Sequence, residues 1–191
     1  MTLFKCVGTL ITKAMTSVKK ENSRDFLINK VLPAIKEKWP AAERHLPIFI
    51  QQDNARTHID VNDPALVQAA QADGWNIRLA CQPPNSPDLN VLDLGFFAAI
   101  QALFEKGTPN NIDQIVARVE KAFHEYPVDR ANRIFLTQQS CMMEIMKHNG
   151  GQYYNIPHMK KTMEMKGVLP TSLRCPIELH NQAVQFVSQM L

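Results

Sequence analysis

The sequence predicts a mixed α/β chain with one parallel strand pair near its middle and a helical C-terminal half. Three observations carry this. Two short apolar runs, 47–52 and 76–80, flank a segment with clear helix-start and helix-stop signals. Strand–helix–strand order implies a parallel pair joined by a crossover helix. From residue 91 onward, apolar residues recur mainly at helical spacing. At 191 residues and 45% apolar content, the chain is long enough to bury one core.

The elements follow in order. A strand-like piece covers 4–11 in an otherwise ambiguous start. Ser23 is placed to cap a helix over 24–38, where Phe26, Leu27, Val31, Ile35 and Trp39 recur at helical spacing. Pro33 lies inside that pattern and is expected to kink it. The run 47–52 reads as a strand ending directly in Asp53. Asp63 and Pro64 then supply an N-cap and a first-turn proline, and Gly74 closes that helix. After the second strand comes Gln82-Pro83-Pro84-Asn85-Ser86-Pro87-Asp88, whose prolines exclude both helix and strand. Asn90 is placed to cap a helix over 91–105, with Asp93 in its first turn. Further helices are expected at 111–126, ended by Pro127, at 129–148, ended by Gly150-Gly151, and at 177–191.

Composition narrows the function classes. The net charge of +3 permits a nucleic-acid partner without demanding one. No apolar run approaches the roughly 20 residues that a bilayer span needs, and the start lacks a secretory h-region and cleavage site. Cys6, Cys81, Cys141 and Cys175 form no CxxC pair, so they read as reduced thiols in a nuclear or cytoplasmic protein that is not secreted. Lys147, His158, Lys160, Lys161 and Lys166 make a modest basic cluster that reads first as a solvated surface. The methionines between 142 and 165 read as core packing or an adaptable helical interface.

Two acids stand out by position. Asp53 falls at the C-terminal end of a strand, where open α/β sheets gather their binding groups. Asp93 falls at a helix start after the next strand, so both carboxylates can face one crevice. Either alone is ordinary, because Asp also serves as a turn residue or as a first-turn partner of the helix dipole. Together, two hard oxygen ligands would suit Mg²⁺ or Mn²⁺.

The runs that carry these acids resemble a known family. Ile50-Gln51-Gln52-Asp53-Asn54-Ala55-Arg56-Thr57-His58 is similar to the second-carboxylate motif of mariner-like DDE transposases. Gln82-Pro83-Pro84-Asn85-Ser86-Pro87-Asp88-Leu89-Asn90-Val91-Leu92-Asp93 is similar to the motif carrying the third. Between the two acids lie 39 residues, positions 54 to 92, the spacing of the plant- and oomycete-type branch. The run Val31-Leu32-Pro33-Ala34-Ile35-Lys36-Glu37-Lys38-Trp39-Pro40 resembles the helix preceding the second-carboxylate strand. Gly150-Gly151-Gln152-Tyr153-Tyr154-Asn155-Ile156-Pro157 and the residues after it resemble the segment following the catalytic core. The resemblance covers about 8–173.

The resemblance implies a ribonuclease H-like fold and metal-dependent DNA strand cleavage and transfer. Three carboxylates would hold two metal ions about 3.5–4 Å apart, one activating the attacking oxygen and one stabilising the leaving oxygen. Asp53 and Asp93 match two of those ligands, with Mg²⁺ or Mn²⁺ as the metal. Asp88 belongs to the motif but not to the ligand set. Asn54 and His58 would orient Asp53 or approach the metal, and His58 reads equally as a residue packed beneath the site.

The family's first carboxylate and its helix-turn-helix DNA-binding region find no match. The expectation is therefore a partial ribonuclease H-like core over 1–126 that lacks its first strands, with 127–191 a helical extension of the same domain. Such a truncated catalytic domain would be inactive alone. Its partners would be DNA at transposon ends, bound weakly, and a second copy or a full-length transposase, with no membrane. The alternative is a non-catalytic, transposase-derived protein that binds DNA or another protein.

Overall fold

A computed structural model describes residues 12–104, 109–157 and 169–190. The expected strand at 4–11, the basic residues 158, 160, 161 and 166, and the methionines 159, 163 and 165 lie outside these.

The first helical stretch comprises α1 (Lys20–Phe26), a wide π-type turn (Leu27–Val31) and α2 (Leu32–Lys38). It starts earlier than expected. Ser23 lies within α1 rather than capping it, and its hydroxyl donates instead to the Thr57 carbonyl at 2.7 Å. The start is closed by Asn22, whose Oδ1 accepts from the Lys19 backbone N–H at 2.9 Å. Pro33 does not break the stretch. Proline removes one helical donor and crowds the preceding turn. Here the turn before it widens, with the Leu32 N–H bonding back five residues to the Leu27 carbonyl.

β1 (Ile48–Gln52) and β2 (Ile77–Cys81) pair in parallel, with Ile48 opposite Ile77 and Gln52 opposite Cys81. The crossover is α3 (Pro64–Gln71), begun by Asp63 as N-cap, whose Oδ1 accepts from Leu66 N–H at 3.1 Å. Asp73 and Gly74 take positive φ after it, at 60° and 77°, turning the chain back toward β2. Period-two alternation gives the sheet two unlike faces. Ile48 and Ile77 point into a core with Leu32, Ile59, Leu66 and Ala70, while Phe49 and Arg78 point outward. Leu66 and Ala70, one helical turn apart, are the buried residues of α3.

The helical half comprises α4 (Phe97–Phe104), which continues a wide turn over Leu92–Phe96, then α5 (Ile112–His124), α6 (Val128–Lys147) and α7 (Ile177–Met190). α6 packs against α7 and against the segment 87–96. Leu136, Ser140 and Cys141 form its buried face. Burial pushes the Cys141 thiol above its usual range, and the nearby Asp88 and Glu144 charges push it further. Phe96 meets the rings of Phe123 and Tyr126 edge-on, at centroid distances of 6.1 and 5.4 Å. Among the described residues no helix is long and apolar enough to cross a membrane.

Candidate metal centre

Asp53 is the first residue beyond β1, so the strand fixes its backbone and the following loop fixes its side chain. Asp53 Oδ1 accepts from the Ala55 N–H at 2.8 Å, closing a tight turn. The same oxygen lies 2.9 Å from His58 Nδ1, which is also 3.0 Å from the Asp53 carbonyl. Both neighbours of Nδ1 are acceptors, so that nitrogen carries a proton. His58 therefore orients Asp53. Its side chain is 33% exposed against 52% for Asp53, so it lies at the rim of the site rather than sealed beneath it.

The loop after Asp53 is pinned from several sides. Gln52 Nε2 donates to the Ile59 carbonyl at 2.8 Å, and Ile59 itself is buried in the core. Ser23 holds the Thr57 carbonyl from α1. Together these contacts frame an open cleft of about 260 Å³ lined by Lys20, Asp53, Asn54, His58, Asp60 and Cys81, among others.

Asn54 lines the same cleft and is also tied to the strand end. Its Nδ2 donates to the Gln82 carbonyl at 2.9 Å, and the Gln82 N–H donates to the Gln52 carbonyl at 2.8 Å. Asn54 thus ties the start of the proline-rich loop to the end of β1. That loop is held internally as well, Gln82 Nε2 donating to the Ser86 carbonyl.

Asp93 sits in the first helical turn after the loop, as its spacing from Asn90 predicts. Asn90 has two roles there. Its Oδ1 accepts from Leu92 N–H at 3.1 Å, and its Nδ2 donates to Asp93 Oδ2 at 2.9 Å. Asp93 does not line the cleft beside Asp53. The two acids therefore belong to neighbouring segments that share tethers, with the carboxylates on separate supports.

In kind, the donors fit a hard divalent cation: carboxylate oxygens, each carboxylate oriented through one of its two oxygens by a neighbouring amide or imidazole. Among the described residues no hydrogen bond engages Asp53 Oδ2 or Asp93 Oδ1, which leaves one oxygen of each for a ligand. In number they fall short of a closed cage, since no group of three or more His, Cys, Asp or Glu among the described residues is arranged to hold a metal. Lys20, Asp60 and Cys81 were not singled out from sequence. The only signal for Lys20 was its place in Lys19-Lys20 just ahead of a helix.

The chain is thus a mixed α/β protein whose parallel pair ends at an oriented carboxylate. Comparison with family models, with curated proteins and with solved structures finds no match in any of the three.

Proposed function

We propose that this chain is part of a mariner-like DDE transposase catalytic domain with a partial ribonuclease H-like fold. In this reading Asp53 and Asp93 are two carboxylates of a Mg²⁺- or Mn²⁺-dependent site for DNA strand cleavage and transfer. The observation that carries the reading is the tethering of both motifs at one end of the sheet. The loop 82–89, which leads to Asp93, is bonded to the end of β1 through Gln82 and again through the Leu89 carbonyl, which accepts from Gln51 at 2.9 Å. That end is the C-terminal edge of a parallel pair, where α/β sheets place their ligands.

In this reading, two oriented carboxylates among the described residues give a weak metal site. A Mn²⁺ titration of the wild-type chain, Asp53→Asn and Asp93→Asn tests this. The expected result is one weak site that each substitution weakens about tenfold or more. Binding that neither substitution changes rejects the reading.

A second reading is favoured by one specific surface. α5 shows Ile112, Ile115, Val116, Val119 and Phe123 along one side, all partly or largely exposed. A contiguous apolar stripe of this kind suits a protein partner. In that reading the chain is a non-catalytic, transposase-derived binding protein. Sedimentation of wild type, Val119→Lys and Asp53→Asn separates the two: self-association lost in Val119→Lys but kept in Asp53→Asn, with no Mn²⁺ site in wild type, supports the second.

A further inference from the structure

We infer that Gln138, on α6, is a positioning residue that sets the segment carrying Asp93 against the strand leading to Asp53, and works together with Gln51 through the Leu89 carbonyl. The inference rests on the metal-site reading above and extends it to a helix that neither carboxylate belongs to. Gln138 Nε2 donates to the Leu89 carbonyl at 2.7 Å, and Gln51 Nε2 donates to the same oxygen at 2.9 Å. A carbonyl oxygen has two lone pairs, and here both are taken by amide donors from different elements.

Each donor is anchored to one of the two acids or to the core. Gln51 lies on β1, two residues before Asp53. Gln138 lies on α6 beside Leu136, Ser140 and Cys141, all buried. Leu89 immediately precedes Asn90, which caps the next turn and holds the Asp93 carboxylate. A shift at the Leu89 carbonyl is therefore passed on to Asp93 through one peptide unit and one side chain.

The two donors differ in firmness. Gln51 stands on the exposed face of the strand pair, where water competes for its amide. Gln138 is half-buried on a 20-residue helix that packs on both the turn Pro87–Leu89 and the turn Leu92–Phe96. The backbone at Gly95 comes close enough that a Cβ there would meet the Ile134 side chain at 3.6 Å. α6 thus runs along the whole segment carrying Asp93, and Gln138 is the point where it fixes that segment's position along β1. Gln138 touches no reacting group in this arrangement.

The test is a double-mutant cycle on the intact chain with Mn²⁺ as the probe. Gln138→Leu keeps the side-chain volume and removes the donor. Expected is an approximately tenfold weaker Mn²⁺ site, the loss typical of residues that orient metal ligands. Water-proton relaxation per bound Mn²⁺ should rise to the value seen with Asp93→Asn, because a misplaced carboxylate is replaced by water. In the Asp93→Asn background, Gln138→Leu should add nothing further. Gln51→Leu, at an exposed position, should act in the same direction and keeps the test open should Gln138→Leu fold poorly. Full additivity with Asp93→Asn, or unchanged affinity in both glutamine variants, overturns the positioning role while leaving the metal reading standing. Insensitivity of Mn²⁺ binding to Asp53→Asn and Asp93→Asn overturns both.

Discussion

Arg24 and Asp63 meet through two nitrogens on one oxygen, Nε at 2.9 Å and Nη2 at 2.7 Å from Asp63 Oδ2. Asp63 Oδ1 meanwhile caps α3. One carboxylate therefore joins the first helix to the crossover helix and starts the latter. The Arg24 hydrogen bond holds the Asp63 carboxyl below its ordinary value. Bonds from Leu66 and Ala65 and the Arg24 charge add to that, and burial opposes it.

The sign of the pH dependence follows. A depressed carboxyl pKa contributes stability that is complete above the unfolded value of 3.8 and is lost as pH falls through the lower folded value. Asp63→Asn retains a capping oxygen but not the charge. Wild type should exceed this variant in urea midpoint at pH 7, with the gap closing below about pH 4. A gap that stays constant down to pH 2 would show that the charge is not its source.

The core makes a second prediction. Leu32 is 2% exposed and sits among Ile48, Ile59, Leu66 and Ile77. Leu32→Ala should cost about 3 kcal/mol in denaturant unfolding. Phe49→Ala, one residue along from Ile48 but on the outward face and 61% exposed, should cost less than about 0.5 kcal/mol. Equal costs would mean that the outward face is covered in solution.

Lys20 lines the Asp53 cleft, and under the transposase reading proposed above it would meet a backbone phosphate. Lys20→Glu should weaken binding of a short DNA oligonucleotide to a similar extent across unrelated sequences. It should also flatten the slope of log affinity against log salt by about 1. An unchanged slope removes Lys20 from the proposed DNA contact.

Asn54 offers a comparison of opposite intuitions. Asn54→Ala loses the bond to the Gln82 carbonyl, worth about 1 kcal/mol. Asn54→Asp adds a potential metal ligand but sets a carboxylate oxygen against that carbonyl. Thermal unfolding should therefore rank wild type above Asn54→Ala and Asn54→Ala above Asn54→Asp. Equal midpoints for Asn54→Asp and wild type would show that the tether to Gln82 carries no weight.

Local signals in the sequence located much of this. Asp63-Pro64 begins its helix, Gly74 follows it with positive φ, and the two apolar runs became a parallel pair shifted by a single residue at each start. Asn90 and Asp93 stand in the turn expected of them. Long-range partners were the illegible part. Ser23 has the composition of a cap, yet Thr57, 34 residues away, takes its hydroxyl. Asn54 lines the Asp53 cleft, yet its amide is bound to the Gln82 carbonyl, because the loop returns to the strand end. Gln138 carried no signal at all, since one glutamine on an amphipathic helix looks like any solvated position. Pro33 suggested a kink because local rules describe where a donor is lost. They do not foresee the π-type turn over Leu27–Val31 that stands just upstream of the proline.

That wider turn has a consequence for the whole N-terminal stretch. A π-type turn holds one residue more than an α-turn, so it behaves as a single insertion kept inside a continuous helix. Each residue advances a helix by about 100°. Upstream of Leu27, Ser23 and Arg24 address the loop 57–63, and downstream Leu32 joins the core while Lys36 reaches the Ala69 carbonyl at 3.0 Å. Deleting one residue between 27 and 31 would tidy the helix and yet swing Arg24 away from Asp63. The irregular turn works as a phase adjuster, allowing one rod to serve two surfaces that a regular helix of this length would not meet together.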